Sequence, residues 1–305
     1  MDRARHVALV PAAVEVVAAR LASDDIPTAP DWRTPPHWWD DDDPAATSCF
    51  VLLLDALNFS FWGTPRWRVA FDGGLLDGYW ALAACLRLAI ERGTPLTDPT
   101  YLARDACAAD LLRGENEVIV PLLAERQAAL REVGRGLLEA CAGRFMACLE
   151  AAEWSAPAIV QRVAAGFPSF RDVASYDGRP VPFYKRAQIL VSDLHGALGR
   201  QRVRDLPSLT MFADYKVPQV LRELGVLAYS NELEAVLRSG ELIAYGDPRE
   251  VEIRAASVQA VEKLGAALAR RDRVVPSYQI DWRLWTLGQE LEMTLPYHRT
   301  RSVFY

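Results

Sequence analysis

Apolar and polar positions alternate along this chain mostly at the three- and four-residue spacing of buried helix faces. Residues 1–22 carry that pattern, and so does Leu122–Ala152, which has no proline and reads as one long helix or two. Pro157–Ala165 and Phe183–Leu198 read as two more helices, the latter with Lys185 and Arg186 near its start. From Tyr79 the period is helical, and Gly93 is suited to end that helix in a left-handed conformation. Asp247-Pro248-Arg249-Glu250 is a helix start, with an N-cap Asp, Pro at the first position and Glu at the capping-box position. That helix should run to about Arg270, and Pro276–Glu290 forms the last one. Cys49–Leu57 is apolar except for Asp55, so it is buried, but its type stays open.

A period of two appears only at Trp67–Phe71, followed by the turn residues Asp72-Gly73-Gly74. This predicts a small β-hairpin near residues 66–77. Residues 23–48 are rich in Pro, Asp and Trp and read as an irregular, ordered loop. Its run Asp40–Asp43 reads as a solvated tip. No repeat and no long Pro/Gly/Ser linker is visible. The expected architecture is mainly α, a single compact helical domain over residues 1–305.

Composition narrows the function. The chain has 305 residues, 51% hydrophobic and 24% charged, with a net charge of −6. That charge argues against a protein that holds DNA or RNA by its phosphates. No apolar run reaches the roughly 18–20 residues of a membrane span, and the N-terminus lacks a signal-peptide layout. A cytoplasmic protein is expected. Five scattered cysteines without a CxxC pair read as reduced core thiols. Nine tryptophans exceed the usual need of a core and suit a flat ligand, although core filling explains any single one.

Several chemistries lack their motifs. There is no G-x-G-x-x-G, no Walker loop and no G-x-S-x-G elbow, and the four histidines show no metal spacing. Carboxylates and aromatics remain. Asp214 lies in Met211-Phe212-Ala213-Asp214-Tyr215, and its apolar neighbours lower the local dielectric around the charge. Val217-Pro218 should force an extended backbone after it, at a strand-to-helix corner, with a short helix from Gln219 to Leu224 stopped by Gly225. Asp281 and Trp285 are spaced i, i+4, so an acceptor and an aromatic plane can share one helix face, with Trp282 beside them. His37-Trp38-Trp39 is the third cluster. Each has a plainer reading: a helix-start carboxylate for Asp214, an N-cap or surface ion pair for Asp281, a loop histidine for His37.

Together these segments resemble the queuosine salvage protein family. The resemblance rests on Asp55–Trp62, Gly78-Tyr79-Trp80, Phe167–Asp172, Phe183–Leu190, Met211–Gln219, Glu250–Arg254 and His298–Arg301, in the family's order across residues 35–305. It implies an N-glycosidase that releases queuine, a 7-deazaguanine base, from queuosine 5′-monophosphate, so that queuine can re-enter tRNA modification. It also implies a fold similar to the helix-hairpin-helix DNA glycosylases, with no metal or organic cofactor. The implied catalytic residue is Asp214, and the implied base-binding residues are His37, Phe212, Asp281 and Trp282. Thr286 departs from the Asp expected there in relatives. Lys185 and Arg186 are candidates for the 5′-phosphate, with Lys216 and Arg299 behind them. The expected partners are the small-molecule substrate and its product, with no nucleic acid and no membrane, and a monomer is expected. The rival readings are a DNA-repair-type base glycosylase and a non-catalytic queuine carrier.

Overall fold

In the computed structural model, which describes residues 3–27, 31–199 and 202–305, proline and aspartate set most of the helix starts. A short strand, β1 (Val7–Leu9), precedes α1 (Pro11–Leu21), so only the second half of the helical pattern over 1–22 is helix. Residues 1–2 of that pattern and 28–30 of the 23–48 loop lie outside the described residues. α2 (Pro44–Ala56) starts inside the expected loop, because Asp43 caps it by accepting from the Ala46 N–H. The rest of the acidic run is exposed, as expected. The hairpin is β2 (Arg68–Phe71) and β3 (Gly74–Asp77), joined by Asp72 and Gly73, both at positive φ.

Next come α3 (Gly78–Glu91), α4 (Pro99–Arg104) and α5 (Ala108–Leu111). The 122–152 pattern is two helices, α6 (Leu123–Ala140) and α7 (Phe145–Ala151), followed by α8 (Ala156–Gly166). A second hairpin, β4 (Val173–Tyr176) with β5 (Arg179–Pro182), turns at Asp177-Gly178. It precedes α9 (Lys185–Ala197) and α10 (Lys216–Glu223). β6 (Leu227–Tyr229) then pairs back with β1, Val7 facing Tyr229. α11 (Asn231–Ser239), α12 (Pro248–Ala269) and α13 (Ser277–Glu290) complete the chain. The architecture is mainly α, with three two-stranded sheets among the described residues where one hairpin was expected. No helix among the described residues is long and apolar enough to cross a membrane.

The apolar side chains of the described residues form two clusters. The first joins α2, α3 and α6–α9; the second joins α1, β1, β6 and α10–α13. α2 is the centre of the first. Every residue from Thr47 to Ala56 is buried, which explains why its segment showed no period: a helix covered on all sides has no polar face.

One expectation is overturned. Cys141 and Cys148 form a disulfide, while Cys49, Cys85 and Cys107 are free thiols. The break between α6 and α7 folds the chain back and brings the two Cα atoms to 5.0 Å. A loop this short still restricts the unfolded chain, so Cys141→Ser should lower stability by about 2 kcal/mol. Denaturant unfolding with and without reductant checks this: reductant should destabilise the parent protein and leave the variant unchanged.

Candidate active site

Asp214 lies where the two clusters meet. Met211 and Ala213 pack into the second cluster and Phe212 into the first, so successive side chains leave the backbone on opposite sides. Asp214 is half-buried. Its Oδ1 accepts the N–H groups of Lys216 (2.8 Å) and Val217 (3.0 Å), capping α10. No hydrogen bond reaches Oδ2 among the described residues. The helix-start reading of this carboxylate is therefore true of one oxygen only. The expected extended turn at Val217-Pro218 is not present: both lie in the first turn of α10, where a missing N–H leaves no helical bond unmade. Nor does a strand precede Asp214. Burial raises the Asp214 pKa, opposed first by the Lys185 charge and then by the two capping N–H groups.

Asp281 is neither an N-cap nor a surface ion-pair partner. It is buried in the second turn of α13, and its Oδ1 accepts the Phe212 N–H at 3.1 Å. The bond ties Asp281 to the residue two before Asp214. Burial holds the Asp281 pKa well above the carboxylate range, and the Asp214 charge adds to this. On the same helix the half-buried Trp282 meets the Tyr278 ring edge-on at 5.3 Å and packs on the first cluster. Trp285 packs on the second and meets Trp80 at 6.5 Å.

Lys185 opens α9 and is buried. Burial lowers its pKa, and the charges of Asp214, Asp55 and Asp281 oppose that, Asp214 most strongly. Its ammonium is thus the cation of a carboxylate cluster. Arg186 is different: its two terminal nitrogens bond the carbonyls of Asp55, Ala56 and Ser169, and its Nε is buried without a partner among the described residues. Lys216 is half-buried and feels Asp214, Arg66 and Asp77, while Arg299 is exposed. Arg66 and Arg299 both act on Tyr297, whose ring lies 4.9 Å from that of Tyr215.

His37 is buried, with Nδ1 3.1 Å from the Asp31 carbonyl and Nε2 2.9 Å from the Tyr79 hydroxyl. A carbonyl only accepts, so Nδ1 carries the proton and Nε2 accepts from Tyr79. Burial pushes its pKa down to about 4, keeping the ring neutral. The ring stacks on Trp32 at 4.2 Å and meets Trp80 at 5.4 Å. Both nitrogens are thus already engaged within the protein.

Asp55, Tyr79, Trp80 and Asp193 lie beside the candidate residues without having been given a role by the sequence reasoning: Asp55 and Asp193 through Lys185, Tyr79 and Trp80 through His37. Asp55 is fully buried with Oδ2 unpartnered, and Asp193 is pushed up to about 7 by burial. Asp55, Tyr79 and Trp80 sit in motifs already singled out, so their signal was present without a role. Asp193 gave a signal only as a carboxylate inside an apolar helix pattern.

Comparison with known proteins bears on the family. A family model described as queuosine salvage protein matches residues 37–305. The chain is 50% identical to the queuosine 5′-phosphate N-glycosylase/hydrolase of Sphaerobacter thermophilus, an alignment covering 100% of this chain and 95% of that protein. It is 38% identical to the Bos taurus protein of the same name, over 84% of this chain and 81% of that one. It is 36% identical to the Schizosaccharomyces pombe counterpart, over 85% and 83%. With that extent of match, from a bacterium to a mammal, the chain belongs to the queuosine salvage protein family.

Proposed function

We propose that this chain hydrolyses queuosine 5′-monophosphate to queuine and ribose 5-phosphate, with Asp214 as the catalytic carboxylate. The observation that carries the assignment is the division of labour within Asp214: Oδ1 is anchored to α10 and Oδ2 is left over, beside a second buried carboxylate. The C1′–N9 bond breaks with its electron pair going to the base. The sugar develops oxocarbenium character, and a preorganised carboxylate stabilises that charge. Water adds its hydroxyl to C1′, and its proton leaves with the base. A 7-deazapurine has no N7 to protonate, so holding the base edge matters more. Asp281 accepts from the guanine-like N1–H and exocyclic amine, and Phe212 and Trp282 enclose the ring. We assign the reaction to one domain spanning the chain, acting as a cytoplasmic monomer without nucleic acid; the net charge of −6 supports the last point.

Incubating the protein with the nucleotide and following free base by chromatography tests the reaction. Release of queuine supports it; binding without release would leave a carrier. Guanosine and inosine nucleotides in parallel define the base specificity.

The phosphate has two candidate sites, the buried Lys185 and the outer group Lys216, Arg66 and Arg299. They predict different results. Lys185 holds the Asp214 pKa down, so in Lys185→Met that pKa rises. Asp214 must be ionised to act, so the acid limb of the pH–rate profile moves to higher pH. If Lys185 instead serves the phosphate, the variant raises KM for the nucleotide, leaves the nucleoside unaffected and does not move the limb. Substitution of Lys216 should give that nucleotide-only KM effect.

A further inference from the structure

Two of the sequence motifs, Phe167–Asp172 and Glu250–Arg254, contribute no side chain to the site described above. Their last residues meet in the interior. Arg254, fully buried in α12, pairs with both carboxylate oxygens of Asp172, and its Nη1 also reaches Glu250 at 3.2 Å. The guanidinium lies between the rings of Phe183 (3.9 Å) and Tyr305 (4.2 Å). Two further bonds leave this pair toward the site. Arg254 Nε donates to the carbonyl of Ala213 at 2.9 Å, one residue before Asp214. Asp172 Oδ2 accepts the backbone N–H of Lys185 at 3.3 Å. The Asp172 carbonyl adds the N–H groups of Phe183 (2.9 Å) and Tyr184 (3.1 Å), fixing the turn into α9.

A buried ion pair is weak as a stabiliser, because desolvation consumes most of the attraction and an apolar set of similar volume often serves as well. What apolar side chains cannot do is hold a carbonyl and an N–H at fixed positions. We propose that the Asp172–Arg254 pair is a positioning device for catalysis, setting the backbone of Asp214 and of Lys185 relative to each other. The carboxylate and its opposing ammonium come from separate segments. Gln188 ties α9 to Thr210, four residues before Asp214, while the Asp172–Arg254 pair bonds the backbone of Lys185 itself and of Ala213, next to Asp214. The inference rests on Asp214 being the catalytic carboxylate.

The test compares Arg254→Lys, Asp172→Asn and Val261→Ala, the last a cavity variant in the same helix with no bond to the site. For each, kcat and KM for the nucleotide are measured beside the thermal midpoint. Arg254→Lys keeps the charge but loses the fork, so kcat should fall by about 100-fold, since small misplacement of a reacting group costs that much. KM should change less than kcat, because Asp281 and Trp282 sit on α13 and Asp281 holds the Phe212 N–H independently of Arg254. Val261→Ala should lower the midpoint and leave kcat unchanged. Equal kcat losses in the Arg254 and Val261 variants, or an unchanged kcat in Arg254→Lys, would overturn the proposal. If Arg254→Lys does not unfold cooperatively, Asp172→Asn decides on the same criterion, with a kcat loss of about 10-fold expected from one weakened charge-assisted bond. Asp214→Asn run alongside separates the two readings: if it is active, the assignment of Asp214 fails, whereas an inactive Asp214→Asn beside a normal Arg254→Lys removes only the positioning role.

Discussion

Replacing Asp214 by Asn slows base release by about 100- to 1000-fold, the usual consequence of removing one preorganised electrostatic partner, and leaves the fold intact. The second half of this expectation comes from the cap. Oδ1 of Asp214 receives the Lys216 and Val217 N–H groups, and Asn offers the same acceptor with similar capping strength. The variant therefore removes the charge and keeps the α10 start. Asp214→Ala removes both and should add about 1 kcal/mol of destabilisation. Single-turnover release of queuine, measured beside thermal unfolding, checks the pair. Near-normal hydrolysis by Asp214→Asn would sink the assignment. The parent enzyme should also lose activity as pH falls through the raised Asp214 pKa, since the protonated acid carries no charge to place under the sugar.

The helices were legible where one face is apolar and the other polar, or where a cap and a proline coincide, as at Asp247-Pro248. They were illegible where burial is complete: Cys49–Leu57 has no polar face, so periodicity could not type it. The Asp177-Gly178 turn carried the same signature as Asp72-Gly73 but lay between short, weakly alternating segments. The β1–β6 pairing joins residues from distant parts of the chain, and no local pattern reports that. At the site, Asp214 and Asp281 were visible as carboxylates in aromatic company. Lys185 and Arg186 looked equivalent, because adjacent cations differ only in which way the first turn of α9 points them. One faces the carboxylates and the other is bound to carbonyls. The disulfide was hidden for a related reason: a separation of 7 residues fits a bond only if the helix breaks between them.

With Asp281 holding the base edge as proposed, Asp281→Asn should lower kcat/KM by about 100-fold, mostly through KM, because the substitution puts a donor where the proposal has an acceptor facing two donors of the base. Hydrogen bonds to a charged group are worth about 1.5–3 kcal/mol each, and an unpaired buried donor costs a comparable amount. The Asn oxygen can keep the Phe212 N–H, so the 211–214 segment should stay in place and kcat should suffer less than in Asp214→Asn. The pH dependence gives an independent reading. Burial and the Asp214 charge hold the Asp281 pKa up, and only the ionised form accepts from both donors of the base edge. KM in the parent should therefore rise as pH falls through that raised value, while in Asp281→Asn it should be flat over the same range. A substrate analogue without the exocyclic amine completes the cycle. It should bind less well than the natural base to the parent enzyme, and about equally well to the variant, where the contact is already lost. Equal losses on both proteins would mean that the amine is read elsewhere, and Asp281 would keep only its bond to Phe212, as a support for the Asp214 loop.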